Sequence, residues 1–314
     1  MLLFMEYIPA KTIVTAVKNH AWFGIDYTMN IYRGCCHGCV YCDSRSLCYR
    51  VENFDTVRAK ADALRIIRDD LLKKRRRGIV GTGAMSDPYN PFEKKLSLTR
   101  NALELLNAYR FGAAIATKSP LVTRDIPVLR DIASHSPVLV KITVTAADDP
   151  LSLLVEPRAP PSSERFAALK ALSAAGVYAG VLLMPVLPFI EDTEENLLSV
   201  VRMARESGAR FVYPAIGMTL REGNREYYYE QLDRIFPGLK EKYAARYGSR
   251  YNCPSPRARR LYAAFARECD AAGLRRTMND IIIDYKRGYN SPFANNSAAQ
   301  LDLFPPRIDT FSSG

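Results

Sequence analysis

The sequence predicts an α/β fold built on a parallel sheet. Apolar strand-like runs alternate with helix-spaced runs six times between residues 27 and 216, and two of the predicted helices stop at a glycine, Gly176 and Gly208. The longest apolar stretch, residues 177–190, is broken by Gly180, Pro185 and Pro188, which marks a buried strand and its exit loop rather than a membrane span. Repeated strand–helix units in one domain imply parallel strands joined by right-handed crossovers. Composition and spacing leave two architectures open, a doubly wound sheet and a partial barrel.

The elements follow in order. Residues 27–31 form a short first strand. Residues 57–76 read as a helix, with Val57, Ala61, Leu64, Ile67 and Leu71 near one face. Strands at 78–83, 111–117, 138–145, 178–184 and 210–216 then alternate with helices at 96–109, 122–133, 162–175 and 193–207. Thr193 is the N-cap of the last of these, with Glu194 and Glu195 in its first turn, where carboxylates suit the helix dipole. These elements delimit a domain at 13–220. After Gly217 the pattern changes to basic helices, giving a second region at 221–288. Residues 289–314, rich in Asn, Ser and Pro, read as a flexible tail.

The 314-residue chain carries a formal net charge of +11. A basic balance favours polyanionic partners such as nucleic acid. From Lys240 to Arg287 twelve Lys and Arg face only five acids, with Tyr243, Tyr247, Tyr251, Tyr262 and Tyr285 interleaved, a pattern that suits phosphate contact and base stacking. The run Lys73-Lys74-Arg75-Arg76-Arg77 suits a solvated helix end equally well.

The chemistry sits early in the chain, in Arg33-Gly34-Cys35-Cys36-His37-Gly38-Cys39-Val40-Tyr41-Cys42. Cys35, Cys39 and Cys42 have the spacing to hold three irons of a [4Fe-4S] cluster, leaving the fourth open for Lewis-acid or radical chemistry. A structural zinc site needs a second pair of Cys or His ligands, and none follows: the three histidines are His20, His37 and His135. Seven cysteines is an odd number for a disulfide framework, and the apolar residues 1–10 are too short and poorly flanked for an export signal. Clustered free thiols read as cytoplasmic metal or redox chemistry.

Cys-x3-Cys-x2-Cys with Tyr41 before the last Cys resembles the signature of the radical S-adenosylmethionine (radical SAM) enzymes. The wider segments Asn30-Ile31-Tyr32-Arg33-Gly34-Cys35 and Tyr41-Cys42-Asp43 resemble the spore photoproduct lyase-like (DNA repair photolyase-like) branch, over about residues 13–288. The resemblance implies a partial (β/α)6 barrel with a C-terminal helical appendage, a [4Fe-4S] cluster, S-adenosyl-L-methionine and an electron donor. It implies a 5′-deoxyadenosyl radical acting on a DNA lesion, with no membrane. Two alternatives remain: the same radical chemistry on RNA or a peptide, and a non-catalytic iron–sulfur protein bound to DNA or a clamp.

The resemblance also suggests site residues. Tyr41 packs near the cofactor adenine. Ser86 and Asp87, in Gly81-Thr82-Gly83-Ala84-Met85-Ser86-Asp87-Pro88-Tyr89, match the branch's Ser/Thr-Asp-Pro-Tyr motif and suit the cofactor ammonium. From position alone, Lys118, at the end of the third strand, and Lys141 and Thr143, on the fourth, suit contact with the cofactor carboxylate or a substrate phosphate, and for each lysine a surface position at a loop start fits equally well. Arg158, in Glu156-Pro157-Arg158, suits a carboxylate. Spore photoproduct lyase carries a hydrogen-donating Cys just before its Ser-Asp pair; Ala84 and Met85 stand there in this chain, leaving Cys253 and Tyr89 as candidate donors. Near the end, Gln300-Leu301-Asp302-Leu303-Phe304 matches the pentapeptide by which bacterial repair proteins grip the sliding clamp.

Overall fold

The computed structural model describes residues 5–289. Its strands are β1 (Glu6–Ile8), β2 (Val14–Ala16), β3 (Tyr27–Met29), β4 (Tyr32–Arg33), β5 (Arg58–Lys60), β6 (Ile79–Thr82), β7 (Gly112–Thr117), β8 (Val138–Thr143), β9 (Ala179–Leu183), β10 (Val212–Pro214), β11 (Gly217–Thr219) and β12 (Asn252–Pro254). Its helices are α1 (Ala63–Leu72), α2 (Glu93–Leu96), α3 (Leu98–Ala108), α4 (Ile126–Ala133), α5 (Asp149–Val155), α6 (Ser162–Ala174), α7 (Glu194–Glu206), α8 (Asn224–Ile235), α9 (Leu239–Tyr247), α10 (Ala258–Ala272) and α11 (Met278–Lys286).

The main sheet runs in the order β10-β9-β8-β7-β6-β3-β2. Six of its strands are parallel and lie in sequence order; β2 pairs antiparallel with β3 at one edge. That order decides between the two architectures. A doubly wound sheet reverses at a switch point. Here every right-handed crossover places its helix on the same face, so the sheet curls around the other face as a partial barrel. Its open edges are β2 and β10.

Residue alternation in the strands follows from this curl. On β8, Val138, Val140 and Ile142 join the large core beneath the surrounding helices, with Leu103, Leu129, Leu169 and Val200. Leu139 faces the lumen with Phe23, Ile25, Ala114, Leu182 and Phe211. The predicted cap at Thr193 is present, its hydroxyl accepting from Asn196 N at 3.1 Å.

The lumen is plugged at the amino ends of the strands by Trp22, Phe23, Phe211 and Tyr213, whose rings meet mostly edge-on, Phe23 to Tyr213 at 5.4 Å between centroids. Helix α11 closes that end. Tyr285 donates to the carbonyl of Phe23 and Lys286 to that of Gly24, each at 2.6 Å. On the other side Asp284 accepts from Tyr178 at 3.0 Å. The helix thus staples the segment before β3 to the segment before β9, across the gap that the open sheet leaves.

Two expectations need correction. Residues 57–76 are not one helix: β5 precedes α1, and Asp62 between them adopts φ +52°. The apolar spacing runs through both elements, so periodicity alone cannot see the break. The basic run Lys73–Arg77 follows the end of α1 and is largely exposed, in keeping with a solvated helix end, with Lys74 donating to Val14 O at 2.8 Å and Arg77 stacking on Phe111. The tyrosines of the basic C-terminal region are largely core: Tyr243, Tyr247 and Tyr285 are buried, leaving Tyr262 exposed and Tyr251 half-buried. Many of the cations there are paired, including Arg257 with Asp192, Arg260 with Glu194, and Arg276 with Asp270. Among the described residues no helix is long and apolar enough to cross a membrane. Residues 300–304 lie outside the described residues.

Candidate active site at the barrel mouth

The parallel strands deliver their exit loops to one end of the barrel. The cysteine loop is tied into that end at both flanks. Gly34 adopts φ +79°, and a side chain there would collide with the carbonyls of Thr56 and Phe54. Its own carbonyl accepts from Ser86 Oγ at 2.5 Å, and Cys35 N donates to Phe54 O at 2.8 Å. Farther along, Arg158 N donates to His37 O at 3.0 Å and Val40 N to Val155 O at 2.9 Å, so the loop is stitched to the segment after β8.

Cys39 is buried, and Cys35 and Cys42 are half-buried. Burial pushes the thiols of Cys35 and Cys39 up to about 12 and that of Cys42 to about 11, and the three raise one another further. Left to themselves they stay protonated; only a strongly cationic, thiophilic group turns all three into ligands. Among the described residues no three His, Cys, Asp or Glu side chains converge as ligands of a single ion.

A buried ionic cluster lies behind the loop. Tyr41 donates its hydroxyl to Glu156, whose other oxygen meets Arg165 Nη1 at 2.5 Å. Lys118 Nζ stands 3.7 Å from Glu156 and 5.7 Å from the centre of the Tyr41 ring. Arg165 also donates to Pro160 O at 2.7 Å and Thr143 O at 3.0 Å. Burial opposes the charge on Glu156, but Arg165 and Lys118 hold its carboxyl below the ordinary range. Burial likewise opposes the charge on Lys118, but Cys39 and Glu156 hold its ammonium above its usual range. Two cations share one carboxylate, and the surplus positive charge faces Cys39.

Asp87 is a hub. It accepts from Thr117 Oγ1 at 2.7 Å, from Lys118 N at 2.8 Å and from Tyr89 N at 2.9 Å, and it lies 3.5 Å from His37 Nδ1. Burial, foremost, lowers the His37 pKa and keeps the ring neutral. Asp87 thereby joins the β6 exit, the β7 exit and the cysteine loop.

The structure therefore brings Tyr41, Ser86, Asp87, Lys118 and Thr143 together around the cysteine loop. Of the other sequence-selected residues, Arg158 and Cys253 also border the cysteine loop, and Tyr89 pairs with Asp125. Arg158 rests its guanidinium against Gly38 and pairs with Asp55, its side chain 55% exposed. Tyr89 is buried and donates to Asp125 at 3.0 Å. Cys253, on β12, is buried in an apolar cluster that also contains Cys39, Val40 and Tyr41. The sequence reading missed Glu191, which is fully buried after β9, with Oε2 accepting from Leu187 N at 2.9 Å and Thr145 nearby. Burial raises its pKa to about 8. The available signal was an acid standing at the end of the longest apolar stretch.

Comparison with known proteins agrees with this arrangement. Residues 29–204 match the model of the radical SAM superfamily. An uncharacterised protein of Mycobacterium tuberculosis is 32% identical over 244 residues, covering 76% of this chain and 72% of its own. An uncharacterised protein of Acidianus two-tailed virus is 25% identical over 250 residues, 70% of this chain and 81% of its own. Spore photoproduct lyase complexed with dinucleoside spore photoproduct has a similar fold, with TM-score 0.62 at 14% identity, covering 85% of this chain and 80% of that one. The tryptophan-bound radical S-adenosylmethionine methyltransferase TsrM from Kitasatospora setae gives 0.51 at 12% identity, covering 78% and 51%. With its family match, its partial barrel and a thiol set that suits a polynuclear iron group, the chain belongs to the radical SAM superfamily, whose cofactors are a [4Fe-4S] cluster and S-adenosyl-L-methionine.

Proposed function

We propose that this chain is a radical SAM enzyme in which Cys35, Cys39 and Cys42 hold three irons of the cluster, and that its substrate is a lesion in DNA. The carrying observation is that Cys35, Cys39 and Cys42 lie on one loop at the barrel mouth, beside Lys118 and Arg165, the two cations that share Glu156. When bound, the reduced cluster supplies an electron that splits S-adenosyl-L-methionine into methionine and a 5′-deoxyadenosyl radical.

The chain's own residues hold, orient and exclude. Lys118 and Arg165 offset the thiolate charge, with Glu156 keeping both cations in place. Ser86 and Asp87 fix the loops that carry the ligands, a positioning role. Tyr41 and Thr143 line the mouth next to the cysteine loop and suit contact with the cofactor. Helix α8, at the start of the C-terminal region read as 221–288, covers the outer side of that loop, whereas α11 of the same region closes the opposite end. Tyr227 packs under Arg45 at 4.0 Å, and Asn224 Nδ2 reaches Tyr41 O at 3.5 Å. Such cover excludes water and oxygen from the chemistry.

The DNA reading is supported by the shared fold with spore photoproduct lyase and by the net charge of +11. The absence of a thiol at Ala84 and Met85 favours a second reading, the same radical chemistry with a different substrate, RNA or peptide, and a different end to the reaction. The test is anaerobic reconstitution, dithionite reduction, addition of the cofactor and chromatography for 5′-deoxyadenosine. No product from fully iron-loaded protein sinks the enzyme reading. Gel shift on damaged and undamaged DNA across a salt series then tests the substrate; indifference to the lesion at every salt removes the DNA reading.

A further inference from the structure

The charge of the C-terminal region is not spread evenly. Residues 242–260 carry six cations, Lys242, Arg246, Arg250, Arg257, Arg259 and Arg260, and no Asp or Glu, and all six are exposed. Two of them have counter-charges: Arg257 meets Asp192 at 3.0 Å and Arg260 meets Glu194 at 3.3 Å. Among the described residues the other four form no ion pair, and Glu241, the nearest acid in sequence, precedes the stretch. Their contacts are with neutral groups: Lys242 Nζ lies 4.4 Å from the centre of the Phe189 ring, and Arg250 donates to Arg246 O at 3.2 Å. An ordinary solvated surface intersperses both signs, and like charges gathered in one place repel one another. The fold nevertheless collects these residues. Tyr243 on α9 donates to Pro188 O at 2.6 Å, and Ser255, just before α10, donates to Asp192 at 2.6 Å, so both helices are tied to the β9 exit loop at the barrel mouth. Tyr247 donates to Pro254 O at 2.7 Å and joins the two pieces. Pro256, Arg257, Arg259, Arg260 and Ala263 line an open surface recess of about 540 Å³.

We propose that this basic arc grips the sugar–phosphate backbone of DNA along the rim of the barrel mouth, beside the β9 exit. This rests on the DNA reading of the same mouth and deepens it, because it gives the backbone contacts to named side chains: Lys242, Arg246, Arg250 and Arg259, with Arg257 and Arg260 beside them. Five of the six cations are arginines, whose planar forks take two phosphate oxygens at once. An acidic protein would need carboxylates fixed at matching places. A phosphodiester strand repeats its charge at every nucleotide and so matches cations spread over α9, the turn after it and the first turn of α10. The bound polyanion also relieves the mutual repulsion of the arc. Phosphate contacts fix register and orientation without reading sequence, which suits a surface that presents a strand to a neighbouring lumen.

The test uses the full-length, cluster-loaded protein and fluorescein-labelled DNA duplexes, ultraviolet-irradiated and untreated, with anisotropy read from about 50 to 200 mM salt. Two variants lose the same charge in different places. Arg250→Gln/Arg259→Gln removes two cations of the arc; Lys73→Gln/Arg75→Gln removes two exposed cations between α1 and β6. The arc variant should bind at least tenfold more weakly at about 100 mM salt, with the slope of log K against log salt shallower by about 2. The other variant should bind as the parent does. Arg250→Lys/Arg259→Lys should recover most of the slope, because a phosphate contact needs the charge. Circular dichroism confirms that each variant is folded. Equal weakening of the two glutamine variants, unchanged affinity in folded Arg250→Gln/Arg259→Gln, or tighter binding of RNA of the same sequence overturns the proposal. A parent protein that binds no DNA at any salt removes the DNA reading itself, whereas a parent that binds DNA with equal loss in both variants removes the arc alone. Formation of 5′-deoxyadenosine is scored separately, so the enzyme reading is judged on its own.

Discussion

The two ends of this barrel are built from opposite materials. At the amino ends of the strands, Trp22, Phe23, Phe211 and Tyr213 interlock and α11 covers them with Ile281, Ile282 and Tyr285. At the carboxyl ends, the buried groups are Glu156, Arg165, Lys118, Asp87, His37 and three thiols. The apolar end derives its strength from close packing, which is non-directional and indifferent to pH. The polar end is stable only where each charge has its partner, and it concentrates shifted pKa values. One end holds the barrel together; the other holds chemistry that the first end makes geometrically possible.

The sharpest way to separate the two ends is to remove a ligand. Cys39→Ser should cut iron per chain and the cluster's visible absorbance severely and bring 5′-deoxyadenosine formation to background, while Cys48→Ser, on an exposed thiol, should leave both unchanged. Next in size, Glu156→Gln strands Arg165 and Lys118 without their shared counter-charge in a buried site. Urea unfolding should show a loss of about 3–5 kcal/mol, with part of it recovered in Glu156→Gln/Arg165→Met, which removes one of the two stranded cations. At the opposite end, Phe211→Ala should cost about 3–5 kcal/mol by cavity formation. It should leave iron per chain intact, and loss of iron there would break the division of labour.

Glu191 gives a pH signature of the polar end. Its folded pKa of about 8 lies above the usual 4.5, so the folded state keeps a proton that the unfolded chain releases. The stability this confers is complete below about pH 4.5 and is lost as pH rises through about 8. Glu191→Gln should match the parent near about pH 5 and exceed it by a few kcal/mol near about pH 9, each unit of pKa being worth about 1.4 kcal/mol. A gap that stays flat between those values would show that the carboxyl is ionised in place. The smallest effect is expected from Gly38→Ala, where φ +70° costs about 1–2 kcal/mol for a side chain and Arg158 must give way. Thermal melts and slower iron uptake report it.

Much of the barrel was legible because its signals are local. Strand and helix periods, Gly176 and Gly208, the Thr193 cap and the cysteine spacing each lie within a few residues. What sequence could not reveal depends on distance. Tyr41 meets Glu156 across 115 positions, and no local pattern marks that pairing. β1, β4 and β5 are two or three residues long and form their own small sheet, too short for a period to show. The tyrosines among the C-terminal cations were legible as aromatic but not as buried. Composition lists residues without saying which side of a helix faces the core.

The α11 staple has a consequence for the order in which the protein is made. The cysteines at 35, 39 and 42 leave the ribosome long before residues 278–286, which complete the barrel's closed end. At roughly 5–20 residues per second, the interval is on the order of ten seconds or more. Throughout that interval the ligand loop exists on a chain whose aromatic plug is not yet covered by α11. Delivery of iron and sulfide to a nascent chain therefore meets a barrel whose amino end is still unstapled, and α11 is the last of the described helices to be made.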